Sequence, residues 1–307
     1  RIGSHSSVSD YHTSGSWVSV AIAAVAARIM KLSLDQTRHA MGIAEYHGPR
    51  SQMMRCIDHP TMLKDGSGWG AMCGVSAARM AKAGFTGAPA VILQTEHWHD
   101  LGENWLITQQ YFKPYPVCRW AQGPIAAVLD LKSRYEFKSN DIASVHITSF
   151  HEAVRLGQKD VTNTEEAQYS TSFPCAVALV HDNILPKHIT DASLKDSEVQ
   201  RLSSVLTMSE DDHANLVFPE SRLARADINL KDGRSLSSTW FEPKWDASAP
   251  PTKKELTKKF KDYATPVLGK TRTEAIYEAV FTLETTDTEQ LFGLISSSLQ
   301  KPLANVS

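Results

Sequence analysis

The chain changes texture along its length. From Trp17 to Leu32, alanine and apolar residues fill nearly every position until Arg28, which predicts a helix covered on most faces inside a helical bundle. Ser33-Leu34-Asp35-Gln36 has the form of a capping box and predicts a second helix running to about Glu45. Tyr46 to Thr61 shows no period and is crowded with His47, Arg50, Arg55, Asp58 and His59, so an irregular segment is expected there. After the turn Gly66-Ser67-Gly68, helical spacing returns through Trp69, Met72, Cys73, Val75, Ser76 and Met80, predicting a tightly packed, buried helix that Gly84 ends. Residues 1–109 are therefore expected to be mainly helical.

Beyond Trp105 the pattern is mixed. Asn104 to Tyr115 alternates loosely and is expected to be extended until Pro114 and Pro116 break it. Gly123-Pro124 opens a helix reaching about Tyr135, with proline in the first turn. Val145, Ile147 and Ser149 alternate with His146, Thr148 and Phe150, predicting a strand with one polar-leaning face. Glu165 to His181 reads as an apolar helix kinked or restarted at Pro174, and Arg225 to Trp240 as a hairpin about Lys231-Asp232-Gly233-Arg234. Ala249-Pro250-Pro251 marks a boundary, followed by helices over Lys253–Tyr263, Thr271–Leu283 and Thr288–Leu299, with the lysines of 253–261 on a solvated face. The expected class is α+β: a large, discontinuous all-helical domain (1–109 and 249–307) with an inserted smaller α+β lid (110–248). Ligands favour the cleft between two such bodies.

Composition narrows the partners. A hydrophobic share of 42% and a charged share of 21% over 307 residues suit a soluble globular protein with a substantial core. The net charge of −2 points to neither nucleic acid nor an anionic membrane surface. Trp17–Ala27, the longest uncharged apolar helix candidate, is too short to span a bilayer. The four cysteines are widely spaced with no C-x-x-C, so free thiols in a reducing compartment are expected: the cytoplasm, or the mitochondrial matrix in a eukaryote. No signal peptide is visible, and the start at Arg1 leaves room for a targeting segment upstream.

Four clusters carry groups suited to acid–base chemistry and anion binding. Tyr11-His12-Thr13-Ser14-Gly15 places an imidazole, which titrates near neutral pH, just before the first helix. Met54-Arg55 through His59 forms the second. In the third, Lys64-Asp65 stands at the mouth of the glycine-turn helix, where unpaired N–H groups and the helix dipole favour an anion. The fourth runs from Tyr111 to Trp120, where prolines fix the backbone while Lys113 and Arg119 project. The plain alternatives are a capping or surface histidine at His12, a solvated Lys64, and ordinary surface cations in a boundary loop. G-x-G-x-x-G, P-loop, H-E-x-x-H and G-x-S-x-G motifs are absent, and His97-Trp98-His99 lacks a third metal ligand.

In this order, His12-Thr13-Ser14-Gly15, LSLDQTRHAMGIAEYH, TMLKDGSGWGAMCGVSAARMAKAGFTGAP, FKPYPVCRWAQ and EEAQYSTSFPCAVAL resemble the MmgE/PrpD family of 2-methylcitrate dehydratases, cis-aconitate decarboxylases and related epimerases. The resemblance implies a large helical domain with an α+β lid, a homodimer, a small carboxylate substrate, and neither metal nor organic cofactor. It places the family's catalytic groups on His12, Lys64 and Lys113, with Ser14, Arg55, His59, Asp65, Cys118 and Arg119 as substrate-binding candidates. Cys118 stands where the decarboxylase branch has histidine, and Phe173 where a tyrosine is often found. A further N-terminal helical portion of the family, carrying an Asp…Thr…His cluster, finds no counterpart, so the chain is expected to lack it.

The implied reaction is dehydration or hydration of a hydroxy di- or tricarboxylate such as 2-methylcitrate or another alkylcitrate. His12 would carry the proton and cations would hold the carboxylates. Met53, Met54, Trp120 and Cys118 suit an alkyl group on the acid. Two alternatives stay open: decarboxylation or epimerisation of a related acid, and a truncated non-catalytic homologue that binds a carboxylate or a partner chain.

Overall fold

The computed structural model describes residues 14–94, 98–157, 160–285 and 287–297. The chain forms two units, Arg1–Gln109 and Gln110–Ser307. The class is α+β with a large helical part, as expected.

In the first unit, α1 (Gly15–Ile29), α2 (Leu34–His47) and α4 (Ser67–Lys82) pack on one another, and a short α3 (Met54–Asp58) occupies part of the stretch expected to be irregular. The capping box at α2 is present: the Gln36 amide donates to Ser33 Oγ, and the Ser33 amide to Gln36 Oε1, each at 3.1 Å. Gly84 ends α4 with φ +93°, and the Phe85 amide closes the turn on the Met80 carbonyl at 3.1 Å.

The buried face of α4 differs from the expected one. Trp69, Met72 and Val75 are 65%, 50% and 37% exposed. The buried stripe is Gly70, Gly74, Ala77, Ala78 and Ala81. The reason is the approach of α1. A Cβ on Gly70 would lie 2.5 Å from the Gly15 carbonyl oxygen, and one on Gly74 2.5 Å from that of Ser19. Backbones this close leave room only for small residues. By the same logic α1 buries Val20, Ala23, Ala26 and Ala27 while Val25 and Ile29 stay exposed, so it is not covered on nearly every face.

The second unit runs α5 (Gln122–Arg134), β1 (Ile142–Ser149), α6 (His151–Val154), α7 (Thr164–Gln168), α8 (Ser172–His181), α9 (Ser197–Val205), β2 (Leu206–Glu210), α10 (Asp212–Val217), β3 (Ala224–Leu230), β4 (Ser235–Ser237), α11 (Lys253–Leu268), α12 (Lys270–Phe281) and α13 (Thr288–Ser296). Among the described residues the strands form one sheet in the order β2-β1-β3-β4. β1 runs parallel to β2, with Val145 opposite Leu206, and antiparallel to β3, with Val145 opposite Ile228. A parallel pair needs a long crossover, which α6 to α9 supply. Val145, Ile147, Leu206, Ala226 and Ile228 join Ile125, Leu131, Leu179 and Leu202 of the helices in one core. On the other face His146 bonds Thr207 Oγ1 and Ser209 Oγ, each at 2.8 Å.

The hairpin and the strand at β1 follow expectation. Asn104–Tyr115 does not: it contains a 3-10 turn at Leu106–Gln109 and otherwise irregular backbone. The expected helix over Glu165–His181 breaks at residues 169–171. Pro174 lies in the first turn of α8, where its missing N–H has no helical partner to lose.

Candidate active site

Two helix starts lie side by side in the first unit. The Ser14 amide donates to Asp65 Oδ1 at 3.1 Å, and the Ser14 hydroxyl to the Asp65 carbonyl at 3.0 Å. Ser14 Oγ also bonds Ser67 Oγ. Just beyond, a Cβ on Gly15 would meet the Gly66 carbonyl oxygen at 2.6 Å. Thus the N-terminus of α1 is fastened to the Lys64-Asp65-Gly66-Ser67 turn that starts α4.

That turn is strained in a specific place. Lys64 has φ +51° and Gly66 φ +76°, so two of three consecutive residues take left-handed backbone. The conformation is natural for glycine and uncommon for lysine, and strain of this kind concentrates at working sites. Neither α1 nor α4 has a side-chain cap, which leaves first-turn amides to be satisfied from outside. A Cβ on Gly68 would have nothing within 4 Å, so the start of α4 is open. Lys64 Nζ is withdrawn from solvent. Helix starts of this kind carry partial positive charge and favour a negative group, and here the Asp65 carboxylate takes the Ser14 amide.

The expected residues fare unequally. Ser14, Lys64 and Asp65 come together, with Asp65 serving as the clasp on Ser14. His12 lies outside the described residues, as does His97. Arg55 and His59 are exposed, on α3 and just after it, and among the described residues neither bonds to the Ser14–Asp65–Ser67 cluster.

In the second unit Lys113 is exposed, but Arg119 does not project. It is 6% exposed; its Nη2 meets Asp246 Oδ2 at 2.5 Å, and its Nη1 lies 3.4 Å from the Phe112 carbonyl and 3.3 Å from that of Lys244. Its guanidinium also stacks 3.9 Å from the Tyr111 ring centroid. With its charge spent on Asp246, Arg119 is a clamp on the 111–119 segment rather than a cation offered to a ligand. Cys118 is half-buried, and its amide donates to the Gln168 carbonyl at 2.9 Å. All four cysteines are free thiols.

Residues 1–104 match the MmgE/PrpD N-terminal domain, and residues 115–284 match the MmgE/PrpD C-terminal domain. The chain belongs to the MmgE/PrpD family. No curated protein matches it. The match over residues 1–104 shows that the family's N-terminal domain is represented, so the expectation that the chain lacks it is not borne out. Membership supports dehydratase-like or related chemistry of the lyase kind. No helix among the described residues is long and apolar enough to cross a membrane.

Two polar contacts, one in each unit, escaped the sequence reading. Ser67, directly after Gly66, completes the tie between the helix starts; its position at the head of the α4 pattern was the available signal. Lys259 was assigned to a solvated lysine face. It is half-buried, and its Nζ donates to the Lys113 carbonyl. No local signal marks it, because its neighbours Lys253, Lys254 and Lys258 are exposed.

Proposed function

We propose that this MmgE/PrpD chain is a hydro-lyase acting on a hydroxy di- or tricarboxylate, such as 2-methylcitrate or another alkylcitrate, by acid–base catalysis without a cofactor. The observation that carries the reading is the strained Lys64 turn tied between two uncapped helix starts, in a family of lyase-like chemistry. Dehydration removes a proton from the carbon beside a carboxylate. The hydroxyl on the neighbouring carbon leaves with a proton as water, and the double bond forms between the two carbons. Negative charge builds on the adjacent carboxylate as the first proton departs. In this reading Lys64 and the amides of α1 and α4 hold that charge. His12, two residues before the Asp65-bound Ser14, is the proton carrier in this reading.

Lys64→Ala and His12→Ala should each reduce alkylcitrate turnover by roughly a hundredfold or more while circular dichroism stays unchanged. Full turnover in both variants would reject the assignment. Release of carbon dioxide instead of water would move the chain to the decarboxylase branch. We also read the protein as a homodimer. The exposed Val25, Ile29 and Phe85 support an apolar contact, and light scattering at working concentration reads the mass directly.

A further inference from the structure

The second unit contains a pocket of about 190 Å³. Its apolar wall is Pro114, Tyr115, Ile184, Leu185, Trp245 and Tyr263. Its charged groups, Glu255, Lys258, Lys259 and Asp262, arrive on one face of α11, and Asn183 adds a neutral polar side chain. Two of them are already engaged as acceptors: Glu255 takes the Thr252 amide and hydroxyl at 2.8 and 2.7 Å, and Asp262 takes Lys258 Nζ at 2.5 Å. Lys259 is different. Its ammonium gives one hydrogen bond, to the Lys113 carbonyl, and among the described residues neither Lys259 nor Lys113 has an acidic side chain as ion-pair partner. An ammonium carries three donors, so two on Lys259 remain for a guest.

The phenols complete the site. Tyr263 donates to the Pro114 carbonyl at 3.3 Å, and its ring lies 5.3 Å from Lys259 Nζ. Burial, then the Asp262 charge and Tyr115, push the Tyr263 phenol up to about 12, and burial raises Tyr115 as well, so both stay neutral; Tyr263 spends its proton on Pro114, which leaves the Tyr115 hydroxyl as the neutral donor. Burial first, and then the Lys113 charge, hold Lys259 below the usual lysine value. An anion set beside the ammonium offsets both by favouring its charged form.

We propose that this pocket binds a small organic acid through its carboxylate, with Lys259 as the charge partner, the Tyr115 hydroxyl as a neutral donor, and the aromatic wall around an apolar body. The site lies wholly within the second unit and requires neither Lys64 nor His12, so it stands apart from the hydro-lyase reading.

Calorimetric titration of the full chain with 2-methylsuccinate, its diamide and inorganic phosphate tests this. Lys259→Gln should weaken 2-methylsuccinate about tenfold or more, and Lys259→Arg should restore most of the affinity. Tyr115→Phe should cost a smaller factor, and the diamide should not bind. Binding to the wild type should fade as pH rises through the lowered Lys259 value and persist to higher pH in Lys259→Arg. If Lys259→Gln binds as the wild type does, or phosphate binds as well as 2-methylsuccinate, the proposal is overturned. Lys64→Ala separates the two readings: Lys259-dependent binding that survives in it supports the pocket even if no acid is turned over. Binding lost in Lys64→Ala and kept in Lys259→Gln sinks the pocket and leaves the hydro-lyase reading standing.

Discussion

The two units hold themselves together by opposite means. In the first, α1 and α4 meet backbone to backbone through Gly15, Gly70, Gly74 and a stripe of alanines, Gly42 of α2 lies against the Ala88 backbone, and large apolar side chains are pushed outward. In the second, Ile125, Leu131, Ile147, Phe150, Leu179 and Ile228 are fully buried about a sheet. A glycine contact has no rotamers to adjust, so it fixes where two helix starts lie. A core of branched side chains fills volume and leaves the placing of a loop to polar clamps such as Arg119–Asp246. One unit is therefore intolerant of added atoms and the other of removed ones.

The comparison breaks most sharply at the second core. Ile147→Ala should cost about 2–5 kcal/mol, because it leaves a cavity among Val145, Leu206 and Ile228. Hydrogen exchange should rise in 142–149 and 224–230 and stay near wild type in 14–47. Next comes the opposite error: Gly74→Ala, which drives a methyl onto the Ser19 carbonyl, should cost about 1–3 kcal/mol and loosen α1 and α4. If the glycine variant is as stable as wild type by chemical denaturation, the close-contact account of the first unit is wrong.

Smaller effects sharpen the picture at the ends of elements. Ser33→Ala removes one half of the α2 capping box and should lower stability by about 1 kcal/mol, read as a shift in denaturation midpoint with unchanged slope. The smallest effect belongs to His188, whose ring stacks on His181 at 4.6 Å. Burial, then the charges of His181 and Lys187, hold its pKa below the usual value. The unfolded chain then takes up the proton first. Stability from this group is full above about pH 6.5 and declines as pH falls through that value toward the lower folded one. His188→Gln should flatten a shallow fall in melting temperature between pH 8 and pH 5.5.

Much of the fold was open to inspection in the residues. The capping box, the Gly84 stop, the β1 alternation and the Lys-Asp-Gly-Arg turn are local devices, closed within a few residues, so local spacing reveals them. The errors share one cause. Reading Trp69, Met72 and Val75 as a packed face assumed that large apolar side chains mark the interior, whereas α1 came close enough to admit only glycine and alanine. Arg119 looked free because its partner Asp246 is 127 positions away. Of the site, Lys64 and Asp65 could be picked out beside their glycine turn; the clasp from Asp65 to Ser14 spans 51 positions and could not.

By itself the sequence determined the longer helices, the β1 strand and the β3–β4 hairpin, several of their start and stop signals, the class, and a family resemblance that the domain matches upheld. Only the tertiary structure decided which face of α4 is inside, which cations are spent on internal partners, and which lysine of α11 turns toward a pocket. Spacing along a chain records what a residue can do with its near neighbours. Burial and charge pairing depend on groups brought together from far along it, and those exist only once the helices and the sheet have packed.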